Sequence, residues 1–112
     1  FAGAFPFWLA PVQIAVLPIT DRINEYAEGI VNDLKQAGFR VEFNSRSDKI
    51  GAKIREATLQ KIPFMLILGD KELDENKVAV RDRTKGDLGA VSLEEFIEKA
   101  RNLKETRALN NS

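Results

Sequence analysis

Two short apolar runs constrain this chain more than anything else in it. Residues 12–19 (VQIAVLPI) and 64–68 (FMLIL) are too short for stable helices and too continuously apolar for strands with one wet face. They read as strands buried on both sides, the pattern of a parallel sheet covered by helices on each face. Thr20 or Asp21 can cap a helix after the first run. Its apolar positions, Ile23, Tyr26, Ala27, Ile30, Val31, Leu34 and Ala37, recur three and four apart until Gly38 stops it. Phe39, Val41 and Phe43 then alternate with Arg40 and Glu42 as a second strand, and 44–49 form a polar loop. A second helix places Ile50, Ile54 and Ala57 on one side and ends at Ile62 and Pro63, because the residue before a proline is pushed out of helical geometry.

Gly69 closes the second apolar run, and residues 70–75 form an acidic turn. From 77 to 83 the chain alternates, so Val78 and Val80 share one strand face while Lys77, Ala79, Arg81 and Arg83 share the other. Residues 84–87 turn the chain, and 88–91 can add a fifth strand. Ser92 and Glu95 form a capping box opening a helix with Leu93, Phe96, Ile97, Ala100 and Leu103 on its apolar face. The order β-α-β-α-β-β-β-α, with two helical crossovers, implies a three-layer α/β/α domain whose first three strands are parallel, followed by an antiparallel excursion. The domain is expected over 12–104, with a polar tail at 105–112. Segment 1–11 carries Phe1, Phe5, Phe7, Trp8 and Leu9, a string ill-suited to a free terminus. It reads as a linker from an upstream domain, which makes the chain a piece of a longer protein.

Composition removes most enzyme chemistry. With no cysteine and no histidine, thiolate nucleophiles, Cys/His zinc sites and imidazole bases are all absent. No apolar stretch reaches the roughly 18 residues of a membrane span, and no signal-peptide pattern opens the chain, so a cytoplasmic location without membrane contact is the expectation. The turn after strand one holds no glycine, excluding a dinucleotide fingerprint, and no Walker-type phosphate loop occurs. Asp21 and Asp70 are the acids a phosphoacceptor site would need, but each also reads as a helix cap or a turn residue. The Asn110 glycosylation sequon sits on the polar tail without a secretory signal.

Seventeen basic and seventeen acidic residues give a net charge of zero, yet the charge is uneven. Between 40 and 61, Arg40, Arg46, Lys49, Lys53, Arg55 and Lys61 face only Glu42, Asp48 and Glu56; between 77 and 85, Lys77, Arg81, Arg83 and Lys85 face only Asp82. Such residues are ordinarily a solvated surface. The alternative is a polyanion site, in which Lys and Arg hold phosphates while a nearby Glu accepts hydrogen bonds from nucleobases, as in the reading of splayed single-stranded RNA loops.

The stretches FPFWLAPVQ (5–13), KIGAKIREA (49–57), IPFMLILGDKE (62–72) and KVAVRDR (77–83) resemble the C-terminal anticodon-binding domain of bacterial threonyl-tRNA synthetases. The similarity runs from Phe5 to about Leu103, in order. Prolyl-, histidyl- and glycyl-tRNA synthetases share the domain type, and the combination of motifs is most similar to the threonyl branch. The resemblance implies a mixed five-stranded sheet with strand four antiparallel. It also implies binding to the anticodon stem-loop of threonine tRNA, with no catalysis and no cofactor in this chain. ATP, zinc and the ligase chemistry would belong to an upstream catalytic domain of a homodimeric parent. Residue by residue, Glu72 and Arg81 match base-contacting positions of the family. Lys49 matches a loop lysine near the same bases, with Arg46 beside it. Ser47 stands where the family often has Asn, shortening an amide contact to a hydroxyl. Lys53 and Arg83 join this basic surface, Lys53 as a phosphate contact. Arg55 fits either a phosphate contact or an ion pair with Glu56 or Asp48, and Phe7 and Trp8 fit either base stacking or packing of the linker. From another class, a protein-interaction or dimer-packing domain without base reading accounts for the same fold. A small-molecule-binding α/β domain has nothing but the fold in its favour.

Overall fold

The computed structural model describes residues 10–45 and 49–105, with side chains as far as residue 102. The linker aromatics Phe1, Phe5, Phe7 and Trp8, the loop residues Arg46, Ser47 and Asp48, the Leu103 side chain and the sequon at Asn110 lie outside the described residues.

Nine labelled elements follow in chain order: β1 (Ile14–Pro18), α1 (Asn24–Gln36), β2 (Val41–Phe43), α2 (Ile50–Leu59), β3 (Phe64–Leu68), α3 (Asp70–Glu75), β4 (Val78–Asp82), β5 (Gly86–Val91) and α4 (Leu93–Glu105). The five strands form one sheet in the order β2-β1-β3-β4-β5. β1 pairs in parallel with both β2 and β3, whereas β4 runs antiparallel to β3 and to β5. The two apolar runs are thus the two innermost parallel strands, and all five residues of β1 are buried.

Strand alternation divides the core between the faces. Ile14, Val16, Leu66, Leu68, Val78 and Val80 pack with Ala27, Ile30, Val31 and Leu34 of α1 and with Phe96 and Ala100 of α4. The Phe64 and Phe96 rings meet edge to face, 5.6 Å between centroids at 83°. On the opposite face Ala15, Leu17 and Met65 pack with Ala57 of α2 and Ile62, flanked by Ile50, Ile54 and Ile67. Three layers result.

Boundaries differ from expectation where capping chemistry decides them. Thr20 is extended but makes no side-chain cap; a 3-10 turn at Asp21–Ile23 precedes α1. Gly38 adopts φ +95 and lets the Phe39 N–H reach back to the Leu34 carbonyl at 3.1 Å, so Phe39 belongs to the helix exit and β2 starts only at Val41. The acidic turn at 70–75 is the short helix α3. Its six residues are too few to show an apolar period, but Asp70 and Glu72 in its first turn suit the positive end of the helix dipole. At α4 the Ser92 hydroxyl accepts the Glu95 N–H at 3.1 Å, as the capping box requires.

Candidate nucleic-acid interface

The crossovers decide where side chains gather. β1 leads through α1 on one face to β2, and β2 leads through α2 on the other face to β3, so the connections diverge at the carboxyl ends of β1 and β3. Clefts at such ends are where open α/β sheets bind ligands. Here lie Lys49 at the start of α2, Gly69 and α3. Lys49 is the exposed N-cap of α2, and its carbonyl accepts the Ala52 and Lys53 N–H groups.

Glu72 is half-buried at the third position of α3, and its Oε1 accepts the Gly69 N–H at 2.7 Å. This is a one-sided capping box, since a glycine N-cap has no side chain to return the bond. Of the two carboxylate oxygens that could accept from a base, one is already held by the backbone. Among the described residues Oε2 has no protein donor. The approach is close because residue 69 is a glycine: a Cβ there would lie 2.9 Å from Ile19 Cδ1 and 3.2 Å from Glu72 Oε1. The 3-10 turn and α1 buttress the same region, with Arg22 of the turn paired to Asp70 and the Tyr26 hydroxyl of α1 donating to the Lys77 carbonyl at 2.8 Å. Burial pushes the Tyr26 hydroxyl above its usual range, and the Glu72 carboxylate adds to that rise.

Arg81 stands across from Met65 on β3 and Asp87 on β5, and Ala79 across from Ile67 and Ala90. Paired residues share a face, so Arg81 and Ala79 lie on the α2 side and Val78 and Val80 on the other, as the alternation predicts. α2 lies over β1, beside the part of this face that β4 and β5 form; Ala79 and Arg81 are half-buried and Ala90 is exposed. Asp87 turns its carboxylate to the Gly89 N–H at 2.8 Å, and Arg81 has no ion-pair partner among the described residues. The result is a half-buried arginine beside the apolar side chains of Ile67, Ala79 and Ala90.

The other basic residues do not form the single basic face that a linear charge count suggests. Lys53 is 3% exposed and its ammonium donates to the Pro18 carbonyl at 2.9 Å, so it holds the end of β1 and is not a solvent-facing phosphate contact. Arg83 donates Nη1 to the Lys61 carbonyl at 2.6 Å, at the amino end of β3, far along the sheet from Glu72. Arg40 is drawn to that same end, its Nε donating to the Ala10 carbonyl at 2.9 Å. Lys77 approaches Glu75 at 4.0 Å. Arg55 is exposed on α2 and has no ion-pair partner among the described residues, which removes the expected Glu56 pair. Lys49, Arg55, Glu72 and Arg81 therefore remain as the described groups that can meet a ligand from the α2 face and the carboxyl ends of the strands.

Sequence reasoning missed two structural groups. Gln13 is fully buried inside the first apolar run, where its Oε1 accepts the Arg40 N–H at 2.8 Å. Gly69, which the sequence marks as the end of the second apolar run, also donates its N–H to Glu72 three residues on. Among the described residues no cluster of three or more metal-ligating side chains occurs, and no helix is long and apolar enough to cross a membrane.

A mixed sheet with a carboxylate held at its carboxyl end and, among the described residues, a guanidinium without an ion-pair partner can meet nucleobases, and comparison with known proteins shows the family. Residues 13–103 match the family described as the Anticodon binding domain, and the chain belongs to that family. Over 112 residues it is 62% identical to the threonine-tRNA ligase of Clostridium tetani, covering all of this chain and 18% of that protein. Over 102 residues it is 60% identical to the threonine-tRNA ligase of Clostridium botulinum (strain Okra / Type B1), covering 91% of this chain and 16% of that protein. The chain thus spans less than a fifth of the length of these curated relatives. The RNA binding domain of threonyl-tRNA synthetase from Cryptosporidium parvum Iowa II superposes with a TM-score of 0.87 at 34% identity, over 91% of this chain and 26% of that one. Prolyl-tRNA synthetase from Cryptosporidium parvum shares the fold, with a TM-score of 0.82 at 23% identity over 91% of this chain and 22% of that one.

Proposed function

We propose that this chain is the tRNA-recognition part of a threonine-tRNA ligase and that it binds the anticodon loop of threonine tRNA. The observation that carries the reading is the 62% identity to such a ligase, sustained over all 112 residues. The geometry supports it. Glu72 Oε2 can accept from base amino and imino groups, and the Arg81 guanidinium can donate to guanine or uracil carbonyls. Ile67, Ala79 and Ala90 offer a surface on which an unstacked base can lie, and the exposed Lys49 supplies a charge for the RNA backbone. Arg46 and Ser47, in the loop beside Lys49, complete the proposed contact set, and Arg55 is a further phosphate contact. Aminoacylation, with its ATP and zinc, belongs in this reading to a catalytic domain of a homodimeric cytoplasmic parent.

The test is titration of the 112-residue chain with the threonine anticodon stem-loop and with loops altered at the second or third anticodon base, at low and physiological salt. Preference for the intact anticodon should survive added salt. Glu72→Ala and Arg81→Ala should each reduce that preference by about 1–3 kcal/mol. Equal binding to all loops that disappears with salt would reduce the site to generic charge and return the domain to the protein-interaction reading.

A further inference from the structure

The Gly69 amide does more than start α3: it fixes which end of the residue-72 side chain faces outward. Glu72 Oε1 is bonded to the Gly69 N–H at 2.7 Å, within a tight ring whose backbone is closed by the Leu73 N–H on the Gly69 carbonyl at 3.0 Å. The Lys77 N–H on the Glu72 carbonyl at 2.9 Å holds the other end of the helix. A Cβ at residue 69 would lie 2.9 Å from Ile19 Cδ1, the end of an exposed side chain, and 3.2 Å from Glu72 Oε1. A backbone N–H can only donate, so it always pulls an acceptor inward. With Glu at 72 the outward atom is the second carboxylate oxygen, again an acceptor, which selects a base edge that presents donors.

We propose that Gly69 is a positioning residue for base selection, imposing hydrogen-bond polarity on the outward group at position 72. This rests on the reading that Glu72 faces an anticodon base. The consequence is specific to an amide at that position. In Glu72→Gln the Gly69 N–H would hold the amide oxygen inward and turn the amino group outward, so the reader becomes a donor and its preference inverts. A side chain free to rotate would instead present either end, and the substitution would weaken binding without reordering the bases.

The experiment measures dissociation constants of wild type, E72A and E72Q for stem-loops carrying each of the four bases at the second and third anticodon positions. E72A should flatten the preference at one position. E72Q should reverse it there, disfavouring the donor-edged base and favouring an acceptor-edged one, each by on the order of tenfold. Gly69→Ala keeps the backbone N–H and meets the movable end of the exposed Ile19 side chain, so it should rank the bases as wild type does. An E72Q chain that binds more weakly but ranks the bases as wild type does would overturn the role of the Gly69 N–H. An E72A chain with no base-dependent effect would instead remove Glu72 from base reading altogether, so the two failures are distinguishable.

Discussion

Replacing Lys53 by Met tests whether that lysine belongs to the fold or to the RNA. Its ammonium is buried and donates to the Pro18 carbonyl, while its stem fills space between α2 and the end of β1. Met has a similar volume, so the substitution leaves little cavity and mainly leaves the carbonyl short of a donor. Losing a hydrogen bond of this kind costs about 1–3 kcal/mol, partly offset because no ammonium need then be desolvated. A net loss of about 1–2 kcal/mol is expected. For a domain of this size each kcal/mol lowers Tm by roughly 4–8 °C. Lys53→Ala adds a cavity and should cost about 2–4 kcal/mol. Urea unfolding followed by circular dichroism gives the stability, and titration of the anticodon stem-loop across a salt series gives the slope of log K against log salt. That slope should be unchanged in K53M, because a group sealed inside the protein releases no counterion. Unaltered stability together with a slope shallower by about 0.7, the value of one single-stranded phosphate contact, would refute the structural assignment.

Asp82 offers a pH test. Partial burial pushes its carboxyl up, but hydrogen bonds from the Thr84 N–H and hydroxyl and the Lys85 N–H, together with the Lys85 charge, prevail and hold it below the usual carboxylate range. A depressed folded-state value stabilises above the unfolded value, near 4, and that contribution is lost as pH falls through the folded one; the Tm gap between wild type and Asp82→Asn should therefore be larger at pH 7 than at pH 2.5. Lys61 sits at φ +64 in the turn between α2 and β3. Lys61→Gly should leave Tm unchanged or raised, and Lys61→Val should lower stability by about 1–2 kcal/mol, since a β-branched residue fits that region worst.

Much of this fold was legible because its elements are locally consistent. The runs holding β1 and β3 are apolar on both faces, α1 repeats at helical spacing, and the alternation at 77–83 put Arg81 and Ala79 together on the face where the register confirms them. Lys53 was misjudged although the signal was present: it stands three residues after Ile50 and four before Ala57, on the apolar stripe of α2, where a long stem can be buried and its head capped. Gln13 and Arg40 were out of reach, because their hydrogen bond joins residues 27 apart across the β1–β2 pair. The same holds for Arg83 and Lys61, 22 apart. A charge count along the chain cannot tell which end of a sheet each cation will reach, and that is why the expected basic face dissolved into separate anchors.

The two outer strands close the sheet in different ways. β2 has only three residues, too short a row of free backbone groups to recruit another strand. β5 is longer, but its pairing skips Leu88 between Gly89 and Asp87, and Gly86 and Gly89 carry positive φ, so its outer rim is kinked. Straight, open rims are what let copies of a β protein zip together into aggregates. Among the described residues, a sheet whose central strands are as greasy and β-prone as these therefore ends in one very short rim and one irregular rim, each a poor template for a second molecule.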